Sequence, residues 1–253
     1  MNSTTRRKFL FGGIAAAAGV SGLAVADRMT RRYGLIPPDS GGLWGPGETL
    51  TYAAQRILST HAPAHQFPRS MISKEPFANE VSPLGDVFKR MQEASFKDWK
   101  LAVDGMVAHP TTFSLADLKS MPMQSQITEV ACEEGWSYIA EWIGVPLHAI
   151  LTEVGLLPQA RYIAYFSFQG DSWWDSMDMA DALHPQTFLT LGMNGGDLPV
   201  GFGGPLRMRM PRQLGYKSVK YITRITATDS MKHFGDGKGS PEPQFGYAWY
   251  AGI

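Results

Sequence analysis

Cysteine is almost absent from this chain of 253 residues, which has one, Cys132. A single thiol excludes any disulfide within the chain, so stability must come from packing or from a bound group. Zinc fingers and ribbons are excluded as well, because they need several Cys or His ligands at tight spacings. His61, His65, His109, His148, His184 and His233 form no such cluster. Net charge is lacking too. The 23 basic and 23 acidic side chains balance, so nothing points to nucleic acid as a partner. No Gly-rich phosphate loop follows a strand in the way nucleotide-binding α/β folds require, and no internal repeat is present. Phe9 to Ala26 is 18 residues long, at the lower edge of what spans a bilayer, and its glycines and alanines make it poorly hydrophobic.

The start of the chain is nevertheless ordered. Thr5-Arg6-Arg7-Lys8-Phe9-Leu10 carries paired arginines, a weakly apolar run follows to Ala26, and Ala24-Val25-Ala26 offers small residues for cleavage before Asp27. This pattern predicts a twin-arginine signal over residues 1–26 and a periplasmic or otherwise extracytoplasmic protein, carried out folded by the twin-arginine translocase. An uncleaved anchor is the alternative. With Arg6, Arg7 and Lys8 set aside, residues 27–253 keep 20 basic and 23 acidic side chains, a formal charge of −3. Those 227 residues are enough for one domain.

Residues 27–95 are rich in Pro and Gly and predict an extended segment that wraps the same domain; 96–253 predict its core. Trp99 to Gly105 alternates apolar and polar residues, a half-buried strand ending in an Asp-Gly turn. Ser114 caps a short helix through Lys119. Gln126 to Ala131 reads as a strand running into Cys132. Pro146 to Val154 reads as a helix, with Pro in its first turn and Gly155 past its end. Arg161 to Phe168, Phe188 to Met193, Leu206 to Met210 and Val219 to Ala227 read as strands. Asp178 to Leu183 reads as a helical turn, and Asn194-Gly195 as a hairpin turn. Mixed strands with short helices and long loops predict an α+β fold with a mixed sheet.

A lone cysteine is most often a small buried hydrophobe. Cys132, however, ends a strand between Glu129 and the Glu133-Glu134 pair, ahead of Gly135-Trp136-Ser137, and polar loops at strand ends often carry function. An unpaired thiol in an exported protein fits a thiolate reserved for a soft metal, with the remaining ligands drawn from an organic cofactor.

These residues resemble the sulfite oxidase family of molybdopterin-dependent oxidoreductases. The likeness runs from Cys132-Glu133-Glu134-Gly135-Trp136-Ser137 and Trp142-Ile143-Gly144-Val145-Pro146-Leu147 through Asp178 to Pro185 and Met193-Asn194-Gly195. It ends in Gly204-Pro205-Leu206-Arg207 and Gly215-Tyr216-Lys217-Ser218-Val219-Lys220, and spans about Phe96 to Asp229. It is nearer to the bacterial exported members, such as the catalytic subunit of the periplasmic methionine-sulfoxide reductase, than to the sulfite oxidases proper. The resemblance implies a mixed-sheet molybdopterin-binding domain with long loops and a molybdenum–molybdopterin cofactor, with Cys132 as metal ligand and catalytic residue. Arg207, Lys217, Ser218, Val219 and Lys220 then hold the pterin and its phosphate, Ser167 touches the cofactor, and further contacts fall within Ser70 to Asn79. Phe202 stands where members commonly carry His or Asn.

The expected chemistry is two-electron, oxygen-atom transfer on a small or protein-borne substrate such as a sulfoxide. A sulfite-oxidising enzyme and a non-enzymatic exported binding module with a buried cysteine are the alternatives. No Cys-x-x-Cys-His is present and only 24 residues follow Asp229, so electrons are expected to pass through a separate carrier, such as a membrane cytochrome. Trp173, Trp174 and Asp175 are candidates for the substrate entrance, with core packing as the other reading. His184 reads as a loop-orienting residue.

Overall fold

The computed structural model describes residues 34–79 and 85–253. The paired arginines and the rest of residues 1–26 lie outside the described residues. The chain divides into two compact units, 1–58 and 59–253.

Helix α1, Gly45–Ser59, lies in a stretch whose sequence reads as irregular. The Gly-Pro-Gly that suggested an extended segment opens the helix, where proline is tolerated because its missing N–H would have no partner. Arg56 stands over the Tyr52 ring one turn earlier, 5.3 Å from its centre.

In the second unit the elements are α2 (Gly85–Glu93), β1 (Lys100–Gly105), β2 (Thr111–Ser114), α3 (Leu115–Ser120), β3 (Gln124–Ala131), β4 (Ser137–Pro146) and α4 (Leu147–Glu153). They continue as β5 (Tyr162–Ser167), β6 (Gly170–Asp178), α5 (Met179–Ala182), β7 (Phe188–Met193), β8 (Gly196–Asp197), β9 (Arg207–Arg209) and β10 (Ile222–Thr228). One sheet runs β2-β1-β10-β5-β6, and the other runs β3-β4-β7-β8 with β9 also on β7. β1 and β10 are parallel and the other pairs antiparallel, so the first sheet is mixed and the expected α+β class holds. Leu101, Ile163 and Ile225 of the first sheet share one core with Leu189 and Met208 of the second and with Leu147, Ile150 and Leu151 of α4.

Local signals placed most boundaries. Ser114 and Asp117 form a reciprocal cap on α3, and Asn194 and Gly195 take the positive φ angles that a tight hairpin needs. Four strands escaped, β2 and β8 because they are only four and two residues long, β4 and β6 for other reasons. β4 is buried along nearly its whole length, so its apolar run shows no alternation, and β6 carries Asp175 inward. The last strand starts at Ile222, not Val219. Tyr221 has φ 59°, and the register shift between Ile222 and Arg224 resets the alternation, leaving Ile225 and Ala227 buried and Thr223 half-buried.

Three features position the site. The turn between β3 and β4 holds Cys132, with Cys132 N–H donating to Trp136 O (2.9 Å) and Gly135 N–H to Cys132 O (3.1 Å). The loop from β9 to β10 passes beside it. A Cβ on Gly215 would lie 3.3 Å from Ala131 O and 3.8 Å from Cys132 Cα, so a side chain there would press the loop against the Cys132 strand by a few tenths of an ångström. The segment through Phe67 and Ser73 also crosses the second sheet: Phe67 N–H donates to Ile127 O and Ser73 N–H to Ile139 O, both at 2.9 Å.

Candidate active site

Cys132 is half-buried, and its thiol donates to Glu133 Oε2 at 3.2 Å. Glu134 Oε2 lies 3.8 Å from the same sulfur and accepts from Trp136 Nε1 (2.8 Å) and Asn79 Nδ2 (3.3 Å). Burial pushes the thiol up to about 12, reinforced by the Glu133 and Glu134 carboxylates and opposed by a backbone contact at Glu134. At neutral pH such a cysteine is a neutral thiol and a poor nucleophile. A coordinated cation reverses this by displacing the proton.

The sulfur opens on a cavity of about 350 Å³, within the range of small-ligand sites. Of the residues predicted from sequence, Cys132, Ser167, Arg207, Ser218, Val219 and Lys220 all line it. Arg207 is nearly buried and donates through Nε to Ser218 O (2.9 Å) and through Nη1 to Phe202 O (3.0 Å); among the described residues its Nη2 has no acceptor. Lys220 reaches across to Gly201 O (2.8 Å) and to the carbonyl of Asn79. Asn79 also lines the cavity, inside the stretch Ser70 to Asn79 where further contacts were expected. Phe202 lines it with an apolar ring packed 5.7 Å from Tyr138, and its polar contribution is its carbonyl.

Lys217 is not brought to the cavity. It is fully buried, ion-paired with Asp175, donates to Ser176 O (2.8 Å) and lies 5.3 Å from the Trp249 ring centre. Asp175 is accordingly a core residue, and burial raises its pKa despite the neighbouring ammonium. Trp173 and Trp174 do line the cavity; Trp173 is partly exposed, whereas Trp174 stacks on Phe166 at 5.7 Å. His184 accepts the Gln186 N–H through Nδ1 (3.2 Å), and it lines a separate hollow with His61 and Gln186.

Sequence reasoning passed over two groups. Glu242, from a C-terminal stretch with no motif, lines the cavity; burial, then the charges of Asp175 and Glu133, push it up to about 7. Arg209 lies behind the cavity wall, fully buried, with Nη2 donating to Thr128 Oγ1 (3.1 Å) and to Glu129 O. The available signal for Arg209 was its spacing: residues two apart on a strand share a face, so Arg207-Met208-Arg209 aims two guanidinium groups the same way.

Among the described residues no three His, Cys, Asp or Glu side chains are arranged to hold a metal ion. The cavity lining thus combines one sulfur, from Cys132, with the cations Arg207 and Lys220 and the hydroxyls of Ser167 and Ser218. No helix among the described residues is long and apolar enough to cross a membrane.

Residues 88–234 match the family described as oxidoreductase molybdopterin binding domain. The chain is 39% identical over 186 residues to the putative protein-methionine-sulfoxide reductase subunit YedZ1 of Azospira oryzae, covering 74% of this chain and 66% of that protein. It is 34% identical over 147 residues to the protein-methionine-sulfoxide reductase catalytic subunit MsrP of Ralstonia nicotianae, covering 53% of this chain and 44% of that one. This chain therefore spans just under two thirds of the first relative and less than half of the second. The sulfane dehydrogenase SoxCD from Paracoccus pantotrophus shares the fold, with a TM-score of 0.50 at 20% identity over 68% of this chain and 47% of that chain. With the family match extending over more than half of its residues, the chain belongs to the molybdopterin-binding oxidoreductases.

Proposed function

We propose that the cavity holds a molybdenum–molybdopterin cofactor with Cys132 as the protein's ligand to the metal, and that the enzyme reduces a sulfoxide. One observation carries this reading. Cys132 and the group Arg207, Ser218 and Lys220 line the same cavity although more than seventy residues separate them in the chain. The donor set fits the cofactor: Arg207 Nη2, without an acceptor among the described residues, and the Ser218 hydroxyl suit phosphate oxygens, and the single soft sulfur suits a metal whose other ligands come from the pterin. Val219 and Ser167 add wall to the same cavity. Lys217 stays with Asp175 and supports the loop from beneath.

When bound, the cofactor supplies two-electron chemistry; the overall reaction takes a sulfoxide, two electrons and two protons to a thioether and water. The chain's part is to hold, exclude water and supply protons. Trp136, Trp173 and Trp174 present aromatic surface to the cavity, where a thioether sulfur packs favourably. Glu242 is protonated in part at neutral pH and faces the same space, so it can hand on a proton at its carboxyl oxygen. Glu133, Glu134 and Glu242 make the Cys132 side acidic. That polarity favours a neutral sulfoxide over the sulfite dianion, which would meet like charge there.

Export in the folded state by the twin-arginine translocase, signalled by Arg6-Arg7, places the enzyme outside the cytoplasm, with electrons arriving from a separate carrier such as a membrane cytochrome. Replacing Arg6 and Arg7 with Lys should leave the loaded protein in the cytoplasm; its appearance outside the inner membrane would mean another route. For the chemistry, protein matured in a molybdopterin-competent host should hold about one molybdenum per chain. It should reduce sulfoxides with a reduced viologen dye. Cys132→Ser should lose both the thiolate-to-metal absorption band and turnover. A serine variant with full activity, or a wild type that oxidises sulfite and leaves sulfoxides untouched, would overturn the reading.

A further inference from the structure

Two guanidinium groups lie against one ring, Arg207 on the cavity and Arg209 behind its wall, and neither has an acidic partner among the described residues. Arg207 and Arg209 lie 5.5 and 5.3 Å from the centre of the same Trp142 ring, and among the described residues no carboxylate pairs with either. Buried arginines are normally paired. Arg209 is 0% exposed, and its Nε has no acceptor among the described residues. Burial, then the neighbouring Arg207 charge, lower it to about 9, so it remains a cation at neutral pH.

Its contacts join the two sides of the site. Nη2 holds Thr128 and Glu129 on β3, the strand that leads into Cys132. Nη1 reaches Ser218 Oγ at 3.5 Å, and the same oxygen accepts Met210 N–H at 3.2 Å. A serine hydroxyl has two acceptor positions and one proton. With Met210 N–H on one acceptor position and Arg209 Nη1 at the outer limit of hydrogen-bond length from the same oxygen, the Ser218 hydroxyl is free to donate; it has no acceptor among the described residues, and Ser218 lines the cavity. The Ser218 carbonyl meanwhile takes Arg207 Nε, so both arginines converge on one residue.

We propose that Arg209 is a positioning residue of the cofactor site. It fixes the Cys132 strand against the Ser218 turn, directs the Ser218 proton into the cavity, and has its charge balanced only when the anionic end of the cofactor is bound. The inference rests on reading the cavity as a molybdopterin site.

The test compares Arg209→Met, Arg209→Gln and Arg209→Lys with the wild type, measuring the unfolding midpoint of cofactor-free and cofactor-loaded protein, and molybdenum and pterin content after identical purification. Cofactor-free Arg209→Met should unfold at the same temperature as wild type or higher, because an unbalanced buried charge is gone. Its gain in midpoint on loading should shrink, and retention should fall roughly tenfold, the size of one lost charge-assisted contact. Arg209→Gln, which keeps a donor without the charge, should behave similarly; Arg209→Lys should recover part of the retention. A role confined to packing would lower both midpoints equally, and that outcome would overturn the proposal. So would equal retention in all three variants while the wild type loads normally. Should Arg209→Met fail to fold, the Gln and Lys variants carry the same comparison. A wild type that takes up no molybdopterin would overturn the reading of the cavity itself, and this inference with it.

Discussion

Glu133 accepts a hydrogen bond from the Cys132 thiol at 3.2 Å, an acid placed directly beside the group that, as the proposed metal ligand, would have to lose a proton. In the cofactor-free protein this carboxylate helps burial hold the thiol up to about 12. Glu133→Gln should therefore make Cys132 more acidic and speed its alkylation by iodoacetamide at pH 8. Burial is the larger cause, so the gain should stop at roughly three- to tenfold, half to one pKa unit. Metal uptake releases the same proton, so loading of the wild type should strengthen as pH rises through the neutral range, by up to about tenfold per unit. An alkylation rate indifferent to Glu133→Gln would remove the acid from this account.

Arg207 and Lys220 differ in what water can replace. Arg207 is held by two carbonyls with Nη2 left for the cavity, and a guanidinium presents a planar fork to phosphate oxygens. Arg207→Ala should reduce pterin retention by one to several orders of magnitude, at about 1.5–3 kcal/mol for each charge-assisted bond lost. Lys220 already spends its ammonium on Gly201 and Asn79 carbonyls. Lys220→Ala should therefore cost less retention and should instead loosen the segment at Asn79, visible as faster proteolysis before the helix that starts at Gly85. Pterin and molybdenum content after identical purification decide the first point; unchanged content in Arg207→Ala would place the phosphate elsewhere.

What the sequence made legible was what is decided locally. The alternation of β1, the Ser114 cap and the Asn194-Gly195 turn depend on neighbours a few residues away. The cavity residues were legible because Cys132, Arg207, Ser218 and Lys220 sit in ordered motifs. β4 was hidden because burial on both faces erases alternation. Lys217 is paired with Asp175, 42 residues earlier on β6, and does not line the cavity; nothing in the sequence near either residue signals such a buried pair. Glu242 is defined by contacts with other elements and had no local signature, and for Arg209 the two-residue spacing from Arg207 was the one local hint.

Glu242 gives a pH test in the cofactor-free protein. Burial, with Asp175 and Glu133 nearby, lifts it from 4.5 to about 7. A carboxyl whose folded pKa exceeds its unfolded value favours the fold while protonated, fully below the unfolded pKa, and that contribution is lost as pH rises toward 7. Wild type should thus lose stability across that window relative to Glu242→Gln, which stays neutral throughout. The group is partly open to solvent, so the difference at pH 8 should be on the order of 1 kcal/mol. Denaturant midpoints of the two proteins from pH 4 to 8 should diverge upward; parallel curves would show that Glu242 titrates normally.

Lys217 and Asp175 make the most consequential pair in the core. Both are essentially excluded from solvent, and the ammonium also holds Ser176 O while Tyr165 donates to the Lys217 carbonyl at 2.8 Å. Removing either partner strands the other charge, which typically costs about 3–5 kcal/mol. Lys217→Ala and Asp175→Ala should each lower the midpoint of the cofactor-free protein sharply. A double change to apolar residues of similar volume, Lys217→Met with Asp175→Leu, should recover most of the loss, because no unpaired charge then remains. The same comparison separates a structural lysine from a cofactor ligand. If Lys217→Ala left the cofactor-free midpoint in place and depleted only pterin, the ammonium would be serving the cofactor, and the buried pair would not be its main role.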